Sequence, residues 1–236
     1  MNRFRTKRRA LLALLLTCLF LLPACTAAPA KSVTVVTASP VPTETPAPTQ
    51  EPLPYADIDR DVTEAEINAR GEVSALRRIT VDAALSIVHE VHYFWGGKSE
   101  AIGKDPMWGT MRMVAAEGSD TSLTFRPLGL DCSGYVSWAM SQSGLTFDEM
   151  KRLVGNGTEN QWKRSRSVTW ATLKVGDLVF QYKPDDGLGN HVGIVVGFDE
   201  RDEPLIAHCA GSFNMVVVTG RGSIFQYPRR PIFYGD

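Results

Sequence analysis

The stretch Asp131-Cys132-Ser133-Gly134-Tyr135-Val136-Ser137-Trp138-Ala139-Met140-Ser141-Gln142-Ser143-Gly144 reads as a capped helix with a cysteine at its first position. Asp131 is a natural N-cap, because its short carboxylate can accept from the unpaired N–H groups of a first turn. Val136, Ala139 and Met140 then follow a helical pattern until Gly144 stops it. On the N-terminal side a second helix is predicted from Thr80, with Val81, Ala84, Leu85, Val88 and His92 on one face and an end at Gly96-Gly97. On the C-terminal side, after a polar stretch, the character changes to strands: Gly176 to Phe180, His191 to Phe198, Pro204 to Cys209 and Met215 to Thr219. Helices first and strands afterwards imply an α+β fold with an antiparallel sheet.

The ends of the chain carry other information. Arg3, Arg5, Lys7, Arg8 and Arg9 precede an apolar run from Ala10 to Leu22, the layout of a secretory signal over residues 1–24. That run has 13 residues, whereas a membrane-spanning helix needs roughly 20. Leu22-Pro23-Ala24-Cys25 resembles a bacterial lipobox, which would make Cys25 a lipid-bearing first residue; an ordinary signal peptidase site is the alternative. Residues 25–54 form a Pro/Thr-rich linker: Thr26 to Pro54 hold seven of the fourteen prolines and almost no large apolar side chain. Fully extended, such a tether reaches roughly 90 Å at about 3.1 Å per residue. Residues 55–74 are expected to be a helical extension, with Thr63 and Glu66 at capping-box spacing, and 75–236 the catalytic domain. Removing residues 1–24 takes away five positive charges and moves the formal charge from −1 to −6, which argues against a nucleic-acid partner. Only Cys132 and Cys209 remain in the folded part, too few for a disulfide framework.

Cys132 sits where unpaired N–H groups and the helix dipole favour a thiolate, and its own N–H would point toward an oxyanion on an attacked carbonyl. A cysteine nucleophile needs a base, and His191 opens a strand beside the turn-forming Asp186-Gly187-Leu188-Gly189-Asn190. His208, on the next strand, can orient it as a third group does in other triads. If Asp199-Glu200-Arg201-Asp202 form the connecting loop, Phe198 pairs with Glu203 and His191 stands opposite Ala210. His208 is then the same-face diagonal neighbour of His191, and Leu205, Ala207 and Cys209 make the opposite, core-facing row. Taken alone, each of these residues has a blander reading as a buried cysteine or an ordinary histidine. A zinc site is a weak rival: His89 and His92 are three apart on the expected helix, but no CxxC pair or HExxH exists. His92 is read as a hydrogen-bonded core residue. No metal and no other cofactor is expected.

Four blocks in order, Tyr93-Phe94-Trp95-Gly96-Gly97, Asp131-Cys132-Ser133-Gly134, Gly176-Asp177-Leu178-Val179-Phe180 and His191-Val192-Gly193-Ile194, resemble those of NlpC-type cell-wall cysteine peptidases. The resemblance covers about residues 75 to 236 and implies a papain-like fold. It implies hydrolysis of peptidoglycan stem peptides at the bond between γ-D-glutamyl and the diamino acid. It makes Cys132 the nucleophile, His191 the base and His208 the orienting residue. It adds Tyr93 as a helper of the oxyanion site and Asp131 and Ser133 as the border of the substrate subsite. An amidase cutting between muramic acid and L-alanine, an acyl transferase and a non-catalytic wall-binding module stay open as alternatives. The 33 residues between Gly97 and Asp131 exceed the connection usual in the family. They are expected to shape the cleft, with Trp108, Arg112 or Arg126 as possible substrate contacts. The expected protein is an exported monomer, secreted to the wall or held at the membrane only through its N-terminus.

Overall fold

The structure, a computed structural model, describes residues 68–116, 118–186 and 190–236. The signal, Cys25, the linker and the Thr63/Glu66 capping box lie outside them. Helix α1 (Ala75–Leu85) starts at Ser74, whose side chain accepts from the Arg77 N–H. It therefore begins five residues before Thr80 and stops well short of Gly96-Gly97: residues 86–90 are turns, and His92 and Tyr93 lie in isolated β-bridges. The apolar periodicity ran past the helix because Val91 and Phe94 are buried in extended chain as well. Asn68 to Ser74 are not helical either; Asn68 bridges to Phe198.

Helix α2 (Cys132–Ser141) has no solvent face, all ten of its residues being buried, and it packs on α1 and on the strands below it. Residues 98–130 fold into turns and a two-stranded antiparallel sheet, β1 (Met111–Met113) with β2 (Phe125–Pro127). This segment is tied to α2: the Trp138 indole donates to the Gly103 carbonyl at 3.1 Å, and Gln142 bonds to Ala101 and Gly103. The polar stretch contains elements that hydrophobic patterning did not reveal: α3 (Phe147–Leu153), α4 (Thr158–Lys163) and β3 (Ser165–Ser167). They are short and mostly exposed, so they carry little apolar period.

The main sheet holds β3, β4 (Leu178–Phe180), β5 (Val192–Phe198), β6 (Pro204–Ala210), β7 (Met215–Thr219) and β8 (Tyr227–Pro231). Its order is β3-β8-β4-β5-β6-β7, antiparallel throughout. Strand β8 was missed because Tyr227-Pro228-Arg229-Arg230-Pro231 has two prolines and two arginines. Every residue of β5 and β6 is buried, so both rows of β6 face protein, not only the row of Leu205, Ala207 and Cys209.

The register between β5 and β6 corrects one expectation and keeps its consequence. Phe198 pairs with Pro204, so the loop is one residue longer than Asp199 to Asp202. A bulge between Val195 and Gly197 absorbs that residue, and beyond it Val195 pairs with Ile206 and Ile194 with Ala207. Continued to the strand end, this pairing sets Gly193 opposite His208 and His191 opposite Ala210. Gly193 is needed there, since a Cβ would lie 2.4 Å from the Ile206 side chain and 3.2 Å from the His208 Cβ.

One buried charge cluster joins these layers. Asp177, fully buried just before β4, accepts from Arg77 of α1 at 2.9 Å and from Arg230 of β8 at 2.9 Å. The Lys174 N–H adds a bond at 3.0 Å.

Candidate active site

Asp131 caps α2 as expected, its Oδ1 accepting from the Gly134 N–H at 2.6 Å, and Cys132 is the first helical residue. Gly134 has no room for a side chain: a Cβ there would stand 2.1 Å from the Gly97 carbonyl oxygen. That approach seats the chain after Tyr93 against the start of the cysteine helix. Tyr93 is fixed by its N–H to the Asn214 carbonyl at 3.1 Å and by a bridge to Leu130. Tyr93, Asp131, Cys132 and Ser133 line one groove of about 470 Å³.

Lys98 belongs to this groove and was not anticipated. Its ammonium lies 2.5 and 2.6 Å from the two Asp131 carboxylate oxygens and 2.7 Å from the Ser133 hydroxyl. The acidic cap beside the cysteine is therefore charge-paired. A lysine directly after Gly96-Gly97 was the available signal, and it carried no meaning until the turn placed it.

The Cys132 sulfur rests against the backbone on either side of His191, 3.9 Å from the Asn190 carbonyl oxygen and within reach of the Val192 N–H. His191 Nε2 meets His208 Nδ1 at 2.8 Å, and His208 Nε2 meets the Thr219 hydroxyl at 3.0 Å. Thr219 in turn donates to the Gly220 carbonyl at 3.0 Å. A hydroxyl has one proton, so Thr219 accepts from His208 Nε2–H, His208 Nδ1 accepts from His191 Nε2–H, and His191 Nδ1 is left as a bare lone pair. The Phe225 ring packs on both imidazoles, with ring centroids 5.6 Å from His191 and 5.2 Å from His208. Thr219 and Phe225 escaped the sequence reading because neither type announces a role; Thr219 ends an apolar strand and looks like any strand threonine.

Burial pushes the Cys132 thiol up to about 12, and the Asp131 carboxylate adds to this against the Val192 N–H and Lys98. Burial also lowers His191 to about 4, with Asp131 opposing. The resting pair is a thiol and a neutral imidazole, not the thiolate that a helix start alone favours. His208 is held well below the ordinary range by burial and by His191.

A pH dependence of stability follows. The unfolded chain binds protons at its histidines near 6.5, whereas folded His191 resists until about 4. The unfolded state therefore carries more protons between those values, and stability falls as pH drops from 6.5 toward 4. Unfolding midpoints at pH 7 and pH 5 check this: the midpoint is lower at pH 5, and His208→Gln shrinks the difference. Equal midpoints would contradict the burial argument.

The remaining candidates separate clearly. Cys209 points away from His191, its thiol donating to the Leu130 carbonyl at 3.0 Å. Trp108 is no free substrate contact: it stacks edge-on against Trp138 at 5.3 Å and packs the inserted segment onto the core. Arg112 and Arg126 are exposed on the hairpin. His89 lies in a turn and His92 in a bridge, so they share no helix face, and His92 Nδ1 is buried without a hydrogen-bond partner among the described residues.

A cysteine at a capped helix start, resting on the backbone either side of a histidine that a second histidine meets, on helices packed over an antiparallel sheet, fits a papain-like fold. The sequence profile of the NlpC/P60 family matches residues 90–212, more than half of the chain, and the protein belongs to that family, whose peptidoglycan hydrolases are cysteine peptidases. Among solved structures it is similar to the peptidoglycan hydrolase RipB of Mycobacterium tuberculosis, at 24% identity and a TM-score of 0.45, with 68% of each chain covered. The NlpC/p60 domain of the peptidoglycan hydrolase SagA matches at 21% identity and a TM-score of 0.42, over 64% of this chain and 96% of that one. A lipoprotein-like NLP/P60 protein of Staphylococcus aureus matches at 14% and 0.39, over 72% of this chain and 45% of that one. No curated protein matches.

Proposed function

We propose that this protein is an exported endopeptidase that cleaves peptidoglycan stem peptides at the γ-D-glutamyl–diamino acid bond through Cys132, His191 and His208. The observation that carries this reading is the chain from His191 to His208 to Thr219, which leaves His191 Nδ1 unprotonated on the residue whose backbone flanks the Cys132 sulfur. As the sulfur attacks the scissile carbonyl carbon, its proton passes to His191 Nδ1. The Cys132 N–H, which has no acceptor among the described residues, and the Tyr93 hydroxyl face the developing oxyanion. The carbon–nitrogen bond then breaks, the amine leaves with the proton from His191, and a thioester remains. Water loses a proton to His191, attacks the thioester and restores the thiol. Asp131 and Ser133, with Lys98 across them, border the substrate side.

Digestion of purified peptidoglycan, with the new termini identified by mass spectrometry, tests the reading. It requires new diamino acid amino termini. Free L-alanine termini would mean an amidase, an added amine mass a transferase, and no fragments a binding module. We further infer that Cys25 carries lipid and that the linker holds the domain off the membrane; unmodified mature protein starting beyond Cys25 would refute this.

Two side-chain results follow from the same geometry. Cys209→Ser stays active, because that thiol donates to backbone carbonyls, Leu130 at 3.0 Å and His92 at 3.9 Å, while His208→Ala loses most of its rate and shifts the pH profile of the remainder. An essential Cys209 with a dispensable His208 would overturn the assignment. Thr219→Val frees the His208 tautomer and lowers turnover by at least about tenfold, and Thr219→Ser restores it. Steady-state rates of the two variants decide, and an unchanged valine variant would leave Thr219 with packing alone.

A further inference from the structure

Strands β1 and β2 place Arg112 directly opposite Arg126 on one face of the hairpin. Like charges in that position repel and destabilise a ribbon of only two strands. Nothing among the described residues offsets the repulsion: neither guanidinium is in an ion pair, and Arg126 has only a long bond, 3.4 Å, to the Thr124 hydroxyl. Other exposed cations of this chain do have partners, such as Lys104 with Glu90 and Lys163 with Glu159.

The location is as informative as the charge. Arg126 lines a groove of about 550 Å³ together with Tyr93, Trp95, Asp120 and Asn214. Tyr93 and Trp95 also line the groove that contains Cys132, so the two form arms of one cleft that meet at Tyr93. Asp120, the carboxylate in the arginine arm, makes no ion pair with Arg126. A peptide bound with its scissile bond at Cys132 and extending past Tyr93 comes to Arg126, and Arg112, outside the lining of the groove, is the cross-strand neighbour of Arg126. Two guanidinium forks on one face suit a planar carboxylate, which each can hold through paired N–H bonds.

We propose that Arg126 in the second arm of the cleft, joined by Arg112 across the hairpin, forms a carboxylate-binding subsite that recognises a free carboxylate of the stem peptide. The proposal rests on the stem-peptide reading above. Two carboxylates near the bond to be cut have this chemistry: the α-carboxylate of the γ-linked D-glutamyl residue and the free carboxylate of the diamino acid. Each can be converted to a neutral amide with little change of shape. The hairpin's cost in repulsion is then the counterpart of its gain when an anion lies between the two forks, and it explains why the inserted segment projects its arginines on this face.

The test uses the full chain carrying Cys132→Ala, so that binding is read without turnover and independently of which bond is cut. Dissociation constants are measured by calorimetry for L-Ala-γ-D-Glu-diamino acid tripeptides with neither, one or the other carboxylate amidated. Amidation of the recognised carboxylate should weaken binding by about tenfold to a hundredfold. Adding R112Q and R126Q should weaken binding of the free acid by a similar factor and remove the preference for acid over amide. Arg126→Lys should keep part of it. An acid preference that survives both glutamine substitutions, or the absence of any preference in the parent, overturns the proposal. So does an unchanged preference accompanied by lost binding to phosphatidylglycerol vesicles, which would give the arginines to a lipid surface. Products of the active enzyme are identified separately. Another cleaved bond with the acid preference intact would correct the proposed function and leave the subsite standing.

Discussion

Cys132→Ala is expected to reduce the release of muropeptides by on the order of 10⁴-fold or more while the fold stays intact. No other described group can replace the sulfur: the remaining thiol, Cys209, is buried and turned to the Leu130 carbonyl. Without a nucleophile only substrate positioning and oxyanion stabilisation remain, and these leave a small residue of the rate. Stability should change by no more than about 1 kcal/mol, since the lost atom makes no strong bond. Its thiol lies 3.9 Å from the Asn190 carbonyl, and the helix is held by Asp131 rather than by the cysteine. The measurement is fragment release from purified peptidoglycan beside a thermal melt. Release at the parent rate with an unchanged melt would end the acyl-enzyme mechanism.

Asp177→Ala should do the reverse, destabilising the domain without touching the chemistry directly. Asp177 is fully buried between Arg77 and Arg230, whose side chains are 3% and 8% exposed, so its removal leaves Arg230 shut away from water without its counter-ion and Arg77 with Asp236 alone. Breaking a buried pair from one side costs roughly 3–5 kcal/mol, and for a domain of this size that lowers the melting temperature by on the order of 10 °C. Arg77 retains the Val175 carbonyl and Asp236, and Arg230 retains the Thr172 carbonyl, which limits the loss. Calorimetric melts of the parent and variant decide. A shift within a degree or two would show that water or movement of α1 satisfies the arginines. The Gly176-Asp177 block thus has a structural cause for its carboxylate, which ties α1, β4 and β8 together at a distance from Cys132.

Much of the site was legible in short blocks, because each encodes a local backbone requirement. Asp131 announces a cap and stands as one, and the strand read from His191 begins one residue later, at Val192; the close approach that Gly134 permits was not read. Boundaries were less legible. Helix α1 was misplaced by its continuing apolar residues, and α3, α4, β3 and β8 were hidden by the weak apolar period of short or proline-containing elements.

The placing of His208 shows most clearly where local reading ends. The loop after β5 proved one residue too long for the expected pairing, which by itself would have turned Cys209 toward His191. A bulge near Val196 restored the register, and no feature of that apolar run announces it. The amino-acid sequence by itself determined the cysteine helix, its cap and, to within one residue, the strand that follows His191, since these depend on neighbours along the chain. Only the tertiary structure decided that Lys98 pairs with Asp131, that Thr219 meets His208 and His208 meets His191, and that Arg112 pairs across the hairpin with Arg126, which shares a groove with Tyr93. Those relations join residues that are far apart along the chain or hidden in unremarkable strands, and they depend on strand register and turn geometry that no local pattern records.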